Sequence, residues 1–432
     1  MKRLFGGMRL KHYLYVASMV TMVYVFLVLA EQYGWDAHVK AWLNLLLRWF
    51  HVIIGIAWIG ASFYFVWLEN HLKRTGVRDE LAGNLWAVHG GGFYYLEKYK
   101  IAPKELPEKL HWFQWEAYLT WISGFFLMVV VYYSKPEQYL IDPSVLELPA
   151  YLAVLIGIAC LFVAWLIYDA LCRSSLVENK PLFAAIGFAL VAAFAFGLCQ
   201  VFSARGAYMH IGAMIGTIMA GNVFFIIIPS QKAMVASAQQ GVMPDEAIGK
   251  HASLRSLHNN YLTLPVVFVM ISNHYPMTFG HAYPWLILLG LFLGSALLRH
   301  YLNVTERGQQ AALLLPVITL IILVLAYVTA PAKATTVQAS EDAIAFADIE
   351  AMIAVHCLSC HAETPSNPAF ASAPKGIVLE TPAHIQAWAP NIMQVSVQSD
   401  YMPLANSTGM TPEERERLGH WIAQGANIRS TE

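Results

Sequence analysis

The sequence predicts an all-α polytopic membrane bundle of nine helices followed by a small soluble domain, on three observations. The 432-residue chain is 57% hydrophobic and only 13% charged, where an average soluble domain is about 25% charged. Its apolar residues fall in long runs that stop near residue 330. The remainder has an ordinary soluble composition. A formal net charge of -1, from 27 Lys+Arg and 28 Asp+Glu, lacks the basic excess of a nucleic-acid binder and excludes an acidic disordered chain. Five cysteines are too few for a disulfide scaffold.

Taken in order, the apolar runs are roughly 12–30, 47–69, 112–134, 149–170, 182–203, 207–229, 260–275, 284–302 and 312–330. Each approaches the ~20 residues that cross a bilayer core at ~1.5 Å per residue. The seventh is the shortest and carries Pro265; its loss would leave eight. The first has a basic flank, MKRLFGGMRLK, but EQYGWD follows it. With no small-residue cleavage site, it reads as a retained helix rather than a signal peptide. With the N-terminus inside, the inner segments hold eighteen Lys and Arg and the outer loops three: Lys40, Lys135 and Arg205. The positive-inside rule thus places the N-terminus in the cytoplasm, and nine crossings place the C-terminus outside. The domain reading is 1–331 membrane domain, 332–345 small polar linker and 346–432 soluble domain.

The soluble domain carries the most specific motif. Residues 357–361 read Cys-Leu-Ser-Cys-His, the C-x-x-C-H signature of covalent haem c attachment. Cys357 and Cys360 can bond both vinyl groups of one haem, and His361 then faces the iron. A redox pair needs no adjacent His, and no second cysteine pair follows to complete a zinc site. A sixth ligand is expected from Met402, in Tyr401-Met402-Pro403, with Met410 as runner-up and Met393 as core packing. Met-Pro about 40 residues after the haem motif is the pattern of class I cytochromes c. Thr411-Pro412-Glu413-Glu414 is a capping box with Pro at the first helical position. The helix that follows places Leu418, Trp421 and Ile422 on one face, and another is expected at about 346–356. Covalent haem is attached outside the bacterial cytoplasmic membrane, so motif and charge count agree on an inner-membrane protein with a periplasmic cytochrome domain.

Ionisable groups inside membrane helices are costly and usually functional. Here they form two layers. Arg48, His51, His210 and His274 lie toward the outer face. Glu69, Asn70, His71, His111, Gln114, Glu116, Asn222, His258, Asn259, Asn260 and His300 lie toward the inner face. His51, Trp58, Ser62 and Glu69 share one helical face, which is expected to point into the bundle. His51 and His210, read at similar depth, would ligate a b-type haem or else be hydrogen-bonded structural histidines. The inner loop contains His89-Gly90-Gly91-Gly92. This chain has no G-x-S-x-G, so the run is no lipase oxyanion hole; the glycines suggest backbone close to a flat ligand or another helix.

RWFHVIIGIAWIGASFYFVWLEN, WAVHGGGFYYLEKYK, LHWFQWEAYLTWISGFF and NNYLTLPVVFVMISNHYP, followed by the haem c motif, resemble the membrane-bound, cytochrome-c-fused urate oxidases (urate hydroxylases) of proteobacterial purine catabolism. The resemblance implies oxidation of urate to 5-hydroxyisourate, with electrons leaving through haem c and no hydrogen peroxide formed. It implies a lipid bilayer, urate and a respiratory acceptor, such as a cytochrome c or terminal oxidase, as partners. The inner layer suits that chemistry: Gln114, Asn259 and Asn260 for hydrogen bonds, Trp112, Trp86 and Tyr95 for stacking, and Glu116, His258 or His89 as base. The competing readings are a quinol-to-cytochrome electron-transfer subunit and a transporter with a redox sensor. A quinol-oxidising subunit would show two bis-His pairs, and a transporter an internal repeat; neither is found in the sequence.

Overall fold

The computed structural model describes residues 10–330 and 344–428, apart from 369, 371 and 400. The basic N-terminal flank up to residue 9 and nearly all of the expected linker lie outside the described residues. Helices occupy every expected apolar run. In chain order they are α1 (Leu10–Gln32), α2 (Asp36–His71), α3 (Trp115–Met128, continued to Tyr133 by a wide turn), α4 (Pro136–Tyr139), α5 (Ala150–Arg173), α6 (Lys180–Cys199), α7 (Ala204–Gly221), α8 (Ile228–Gln239), α9 (Glu246–Ser272), α10 (Pro276–Phe279), α11 (Pro284–Thr305) and α12 (Leu314–Val328). Six spans among the described residues are long and apolar enough to cross a membrane: His38–His71, Trp115–Tyr133, Ala150–Arg173, Lys180–Cys199, Ala204–Gln239 and Pro284–Thr305. α12 and the described part of α1 are apolar but shorter. α9 is long, yet its first half, EAIGKHASLRSLHNN, is too polar to count with the six.

Two expectations are corrected. The fold is mainly helical rather than all-α, because β1 (Leu81–His89) and β2 (Gly92–Tyr99) pair as an antiparallel hairpin. Gly90 and Gly91 make its turn with φ +58° and +81°, and nothing lies within 4 Å of a side chain built on either. Two successive positive φ values are what a tight hairpin turn demands. Gly90 and Gly91 therefore serve the turn, and no helix among the described residues lies against them. The second correction concerns α2, which begins at Asp36 and not near 47, so His51 falls well inside a 36-residue helix.

α7 is the axis of the core. Gly206, Ala207, Tyr208, His210, Ile211, Gly212, Met214 and Ile215 are all buried, and α3, α5, α6 and α9 pack around it. Small residues permit this approach, as expected where apolar lipid gives helices no hydrophobic reason to associate. A methyl on Gly212 would meet Val269 at 2.5 Å, and one on Gly221 would meet the Trp165 ring at 2.7 Å. Outward faces carry large apolar side chains such as Ile56, Leu155, Leu166 and Leu320.

The C-terminal unit has its own core. α13 (Phe346–His356), α14 (Leu358–His361), α15 (Pro382–Ile392) and α16 (Pro412–Ala423) enclose Ile349, Ile353, Leu379, Ile385, Leu418 and Trp421. Phe346 meets Trp421 with ring centroids 5.8 Å apart. The expected capping box is present: the Glu414 amide donates to Thr411 Oγ1 at 3.2 Å, and the Thr411 amide donates to Glu414 at 2.8 Å. Leu418 and Trp421 face inward, with Ile422 beside them, as the helical spacing implies.

Gly212→Ala will lower the melting temperature of the detergent-solubilised protein, with overpacking against Val269 costing about 1–3 kcal/mol. The bond from the Thr411 backbone amide, aided by His356, holds the Glu414 carboxyl below its ordinary range. A depressed carboxylate pKa stabilises the fold above its unfolded value of about 4.3. That stabilisation is lost as pH falls through the lower folded value. Thermal melts between pH 3 and 7 will show this acid-side loss, and Glu414→Gln will remove its pH-dependent part.

Candidate functional site

The bundle has two ends. One carries the hairpin and the close of α2, α5 and α11; the other carries α4, α10 and the C-terminal unit. At the hairpin end, exposed and half-buried charges fasten the hairpin to α2. Glu69 accepts from Arg74 Nη2 at 2.9 Å and from Lys98, and Arg78 pairs with Glu97 at 2.5 Å. Asn70 donates to Glu306 at 2.8 Å and accepts from Arg307 at 2.9 Å, tying α2 to the end of α11.

Below this rim lie two buried polar clusters. The first joins α5, the α7–α8 turn and α9. Arg255, fully buried, donates to Asp169 Oδ1 at 2.6 Å and to Asn222 Oδ1 at 3.2 Å, over the face of Tyr168. Asn222 donates to Asn259 Oδ1 at 2.8 Å and to the Tyr168 hydroxyl at 3.0 Å. Asn259 donates to the Met219 carbonyl at 3.0 Å. The Tyr168 hydroxyl also meets His258 Nδ1 at 2.9 Å, and the His258 ring stacks on Phe183. The second cluster joins α9 to α11. Asn260 Oδ1 accepts from Arg299 Nε at 2.8 Å and from Asn303 Nδ2 at 3.0 Å, and the Arg299 guanidinium lies 4.3 Å above the Phe63 ring. Asn259 and Asn260 are adjacent in sequence, but one helical step of ~100° sends them into different clusters.

The other sequence-derived candidates scatter. Trp112 packs beside Ala117 and Val223. Gln114 and Glu116 open α3, half-buried. His89 is exposed at the hairpin tip, and the Trp86 and Tyr95 rings meet there with centroids 4.8 Å apart, tilted by 42°. Of the three residues read as a base, His258 alone enters one of the buried clusters. Sequence reasoning counted Arg255 and Arg299 only among the inner positive charges and passed over Asp169 and Asn303. An Arg followed four residues later by Asn, one turn before the end of an apolar helix, was the available signal.

His51 and His210 are not opposite one another. His51 Nδ1 lies 3.0 Å from the Thr120 carbonyl and from Ser123 Oγ, and its ring covers Gly124. His210 Nδ1 lies 2.8 Å from the Gly206 carbonyl, with Nε2 at 3.0 Å from the Tyr133 hydroxyl and the ring against Gly157. Trp121 donates to Thr217 at 3.0 Å, which sets the register of α3 against α7. By that register the two rings are on the order of 10 Å apart along the axis. A b-type haem between them would require both rings to leave these partners. His51 has hydrogen-bond partners on Nδ1, and His210 has them on both ring nitrogens.

In the C-terminal unit the donor set fits a covalent haem. Cys357 and Cys360 are unbridged thiols flanking one turn. His361 Nδ1 lies 2.9 Å from the Ile377 carbonyl; such a bond settles the tautomer and leaves Nε2 as the ligating nitrogen. Burial, with a smaller push from Cys360, raises the Cys357 thiol to about 12, the opposite of a redox-active pair's depressed thiol. Met410 is buried in the core, whereas Met402 is half-buried with its backbone clamped: its amide donates to the Val395 carbonyl at 2.8 Å, and its carbonyl accepts from Arg415 at 2.7 Å.

This unit is seated on the end of the bundle by its Cys360 side. Asn367 donates to Cys360 Sγ at 3.5 Å and accepts from Gln138 at 3.2 Å. Tyr401, next to Met402, meets Phe279 at 5.2 Å, and the Arg205 guanidinium lies over the rings of Tyr139, Tyr132 and Tyr401.

Asp169→Asn will destabilise the protein by about 3 kcal/mol, because it leaves Arg255 charged and buried without a counter-ion. Melting of the purified variant checks this, and the double change Asp169→Asn with Arg255→Met will recover part of the loss.

No curated protein and no solved structure matches the chain. A family model described as "Urate oxidase N-terminal" matches residues 37–330, from the start of α2 to the end of the helical bundle. With that match over more than half of its length, the chain belongs to the urate oxidase N-terminal family.

Proposed function

We propose that this protein is an integral membrane urate oxidase. Urate is oxidised to 5-hydroxyisourate in the helical bundle, and the electrons pass through one covalent haem c to a respiratory acceptor, with no hydrogen peroxide formed. The observation that carries the reading is the seating of the C-terminal unit. Its Cys360 edge rests on Gln138 and the Arg205–tyrosine cluster, so electrons leaving the bundle meet the attachment site across a protein junction and not through solvent. The family match supports urate as the substrate, and six long apolar helices support insertion in a bilayer. The excess of Lys and Arg at the hairpin end supports a cytoplasmic N-terminus. The cytochrome unit is then periplasmic, at the inner membrane of a bacterium.

The overall reaction removes two electrons and two protons from urate, and water adds to the purine ring. When bound, haem c supplies one-electron acceptance at a potential raised by a methionine ligand. Cys357 and Cys360 would hold it covalently, His361 Nε2 and Met402 would supply its iron ligands, and the Ile377 carbonyl fixes the His361 ring. Within the bundle His258, bonded to Tyr168, takes a proton from substrate, or Glu116 does so from the start of α3. His89, at the exposed tip of the hairpin, is the least enclosed of the three. Gln114, Asn259, Asn260 and Trp112 remain the sequence-derived binding set, of which Asn259 and Asn260 lie in the buried clusters.

Purified protein given an oxidised cytochrome c will bleach urate absorbance without releasing peroxide. Cys357→Ala, Cys360→Ala or His361→Ala will abolish that turnover while urate binding survives. Met402→Ala will lose the long-wavelength iron–sulfur band and lower the haem potential. Full turnover with natural acceptors in a protein lacking haem c would overturn the reading, and loss of the band in Met410→Ala but not in Met402→Ala would reassign the ligand.

A further inference from the structure

We propose that Asn260, Arg299 and Asn303 form the recognition site for the urate anion, gripping one edge of its planar ring system. The inference rests on the urate reading above and specifies where the substrate is held.

Charge accounting separates the two buried clusters. In the first, Arg255 is compensated by Asp169 at 2.6 Å. In the second, Arg299 is 3% exposed and has no ion-pair partner among the described residues. Its neighbours are a ring, Phe63 at 4.3 Å, and a neutral amide, Asn260 at 2.8 Å. A guanidinium stays charged at any physiological pH, and an isolated buried charge costs several kcal/mol. The Glu306 carboxylate on the rim acts on Arg299 from beyond ion-pair distance and is bonded by Asn70, so the guanidinium has no directly bonded anion among the described residues.

Hydrogen-bond accounting points the same way. Arg299 Nη2, Asn260 Nδ2 and Asn303 Oδ1 are all buried without a partner, and their residues are directly bonded to one another. Each orphan costs about 1–3 kcal/mol if nothing meets it. Three in one bonded triad are unusual in a native interior, where such groups call for an explanation. Together they offer two donors and one acceptor beside a positive charge. The complementary ligand is a planar anion whose edge presents carbonyl oxygens next to a ring N–H. Urate, a cyclic urea fused to a pyrimidinedione and an anion at neutral pH, has such edges. Access is short. α11 ends at Thr305, two residues past Asn303 and six past Arg299, so the triad lies one to two turns below the hairpin end. The Glu306–Asn70–Arg307 rim stands above it.

The test uses the full-length holoprotein in detergent, without oxygen or electron acceptor, with urate as probe. Equilibrium dialysis gives the affinity, and melting with and without urate gives the linked stabilisation. Asn303→Asp places a carboxylate beside Arg299 and so supplies the missing anion internally. It is expected to keep or raise the melting temperature without urate, to weaken urate binding at least tenfold, and to abolish the urate-induced shift. Arg299→Gln is expected to weaken binding at least tenfold as well. If Arg299→Gln does not accumulate, Asn303→Asp decides alone. Urate binding unchanged in Asn303→Asp would mean that the triad holds water or a small ion, and would overturn the site while urate turnover by the unaltered protein left the function standing. Failure of the unaltered protein both to bind and to oxidise urate would overturn the site and the function together.

Discussion

A guanidinium buried among apolar helices must find its counter-charge and its acceptors inside the protein, because lipid offers neither. Much of this bundle's interior follows from that constraint. Arg255 is met by Asp169 from α5 and Asn222 from the α7–α8 turn, so three helices are held at one level by a single side chain. The wide turn at Asn222–Ile227 belongs to the same arrangement, since such irregular turns within helices are often found at functional positions. Arg299 satisfies only half of the constraint. It has acceptor and aromatic contacts but no directly bonded counter-charge among the described residues, and the proposed urate site rests on that imbalance.

The two ends of the molecule divide the chemistry. At the hairpin end, polar groups descend one to two turns into the bundle and the rim is rich in ion pairs. At the other end, aromatic rings and Arg205 form the seat for the C-terminal unit. In the proposed function, substrate recognition and electron exit are thereby separated along the helix axes, with the glycine-rich α7 between them. His51 and His210 lie in that middle region, each bonded to a neighbouring helix and fitted against a glycine.

The C-terminal unit owes its fold to a few local devices and one core. A reciprocal capping box starts α16, and Trp421 and Leu418 bury its inward face against α13. Such a small unit gains little from area alone, and a covalently held group against His361 would add to its core. Its Cys360 thiol lies toward the bundle, where Asn367 and Gln138 bridge the gap. That relation depends on α4, a four-residue helix with no distinctive sequence signal.

Periodicity and length by themselves determined where the helices run, because an apolar stretch of ~20 residues has few other stable states. The C-x-x-C-H spacing and the Thr411–Glu414 box were equally legible, since both act between residues close in sequence. The hairpin was present as two glycines between aromatic strands, but a loop and a hairpin share that signal until the strands are seen to pair. The start of α2 was misjudged because Asp36–Leu47 mixes polar and apolar residues, so the apolar run begins later than the helix does. Only the tertiary structure decided the site. Asn259 and Asn260 diverge because adjacent helical positions face ~100° apart. Arg299 meets Asn260 and Phe63 across three helices. Whether a buried charge is compensated depends on contacts between residues up to 236 positions apart, such as Phe63 and Arg299, which no local pattern encodes.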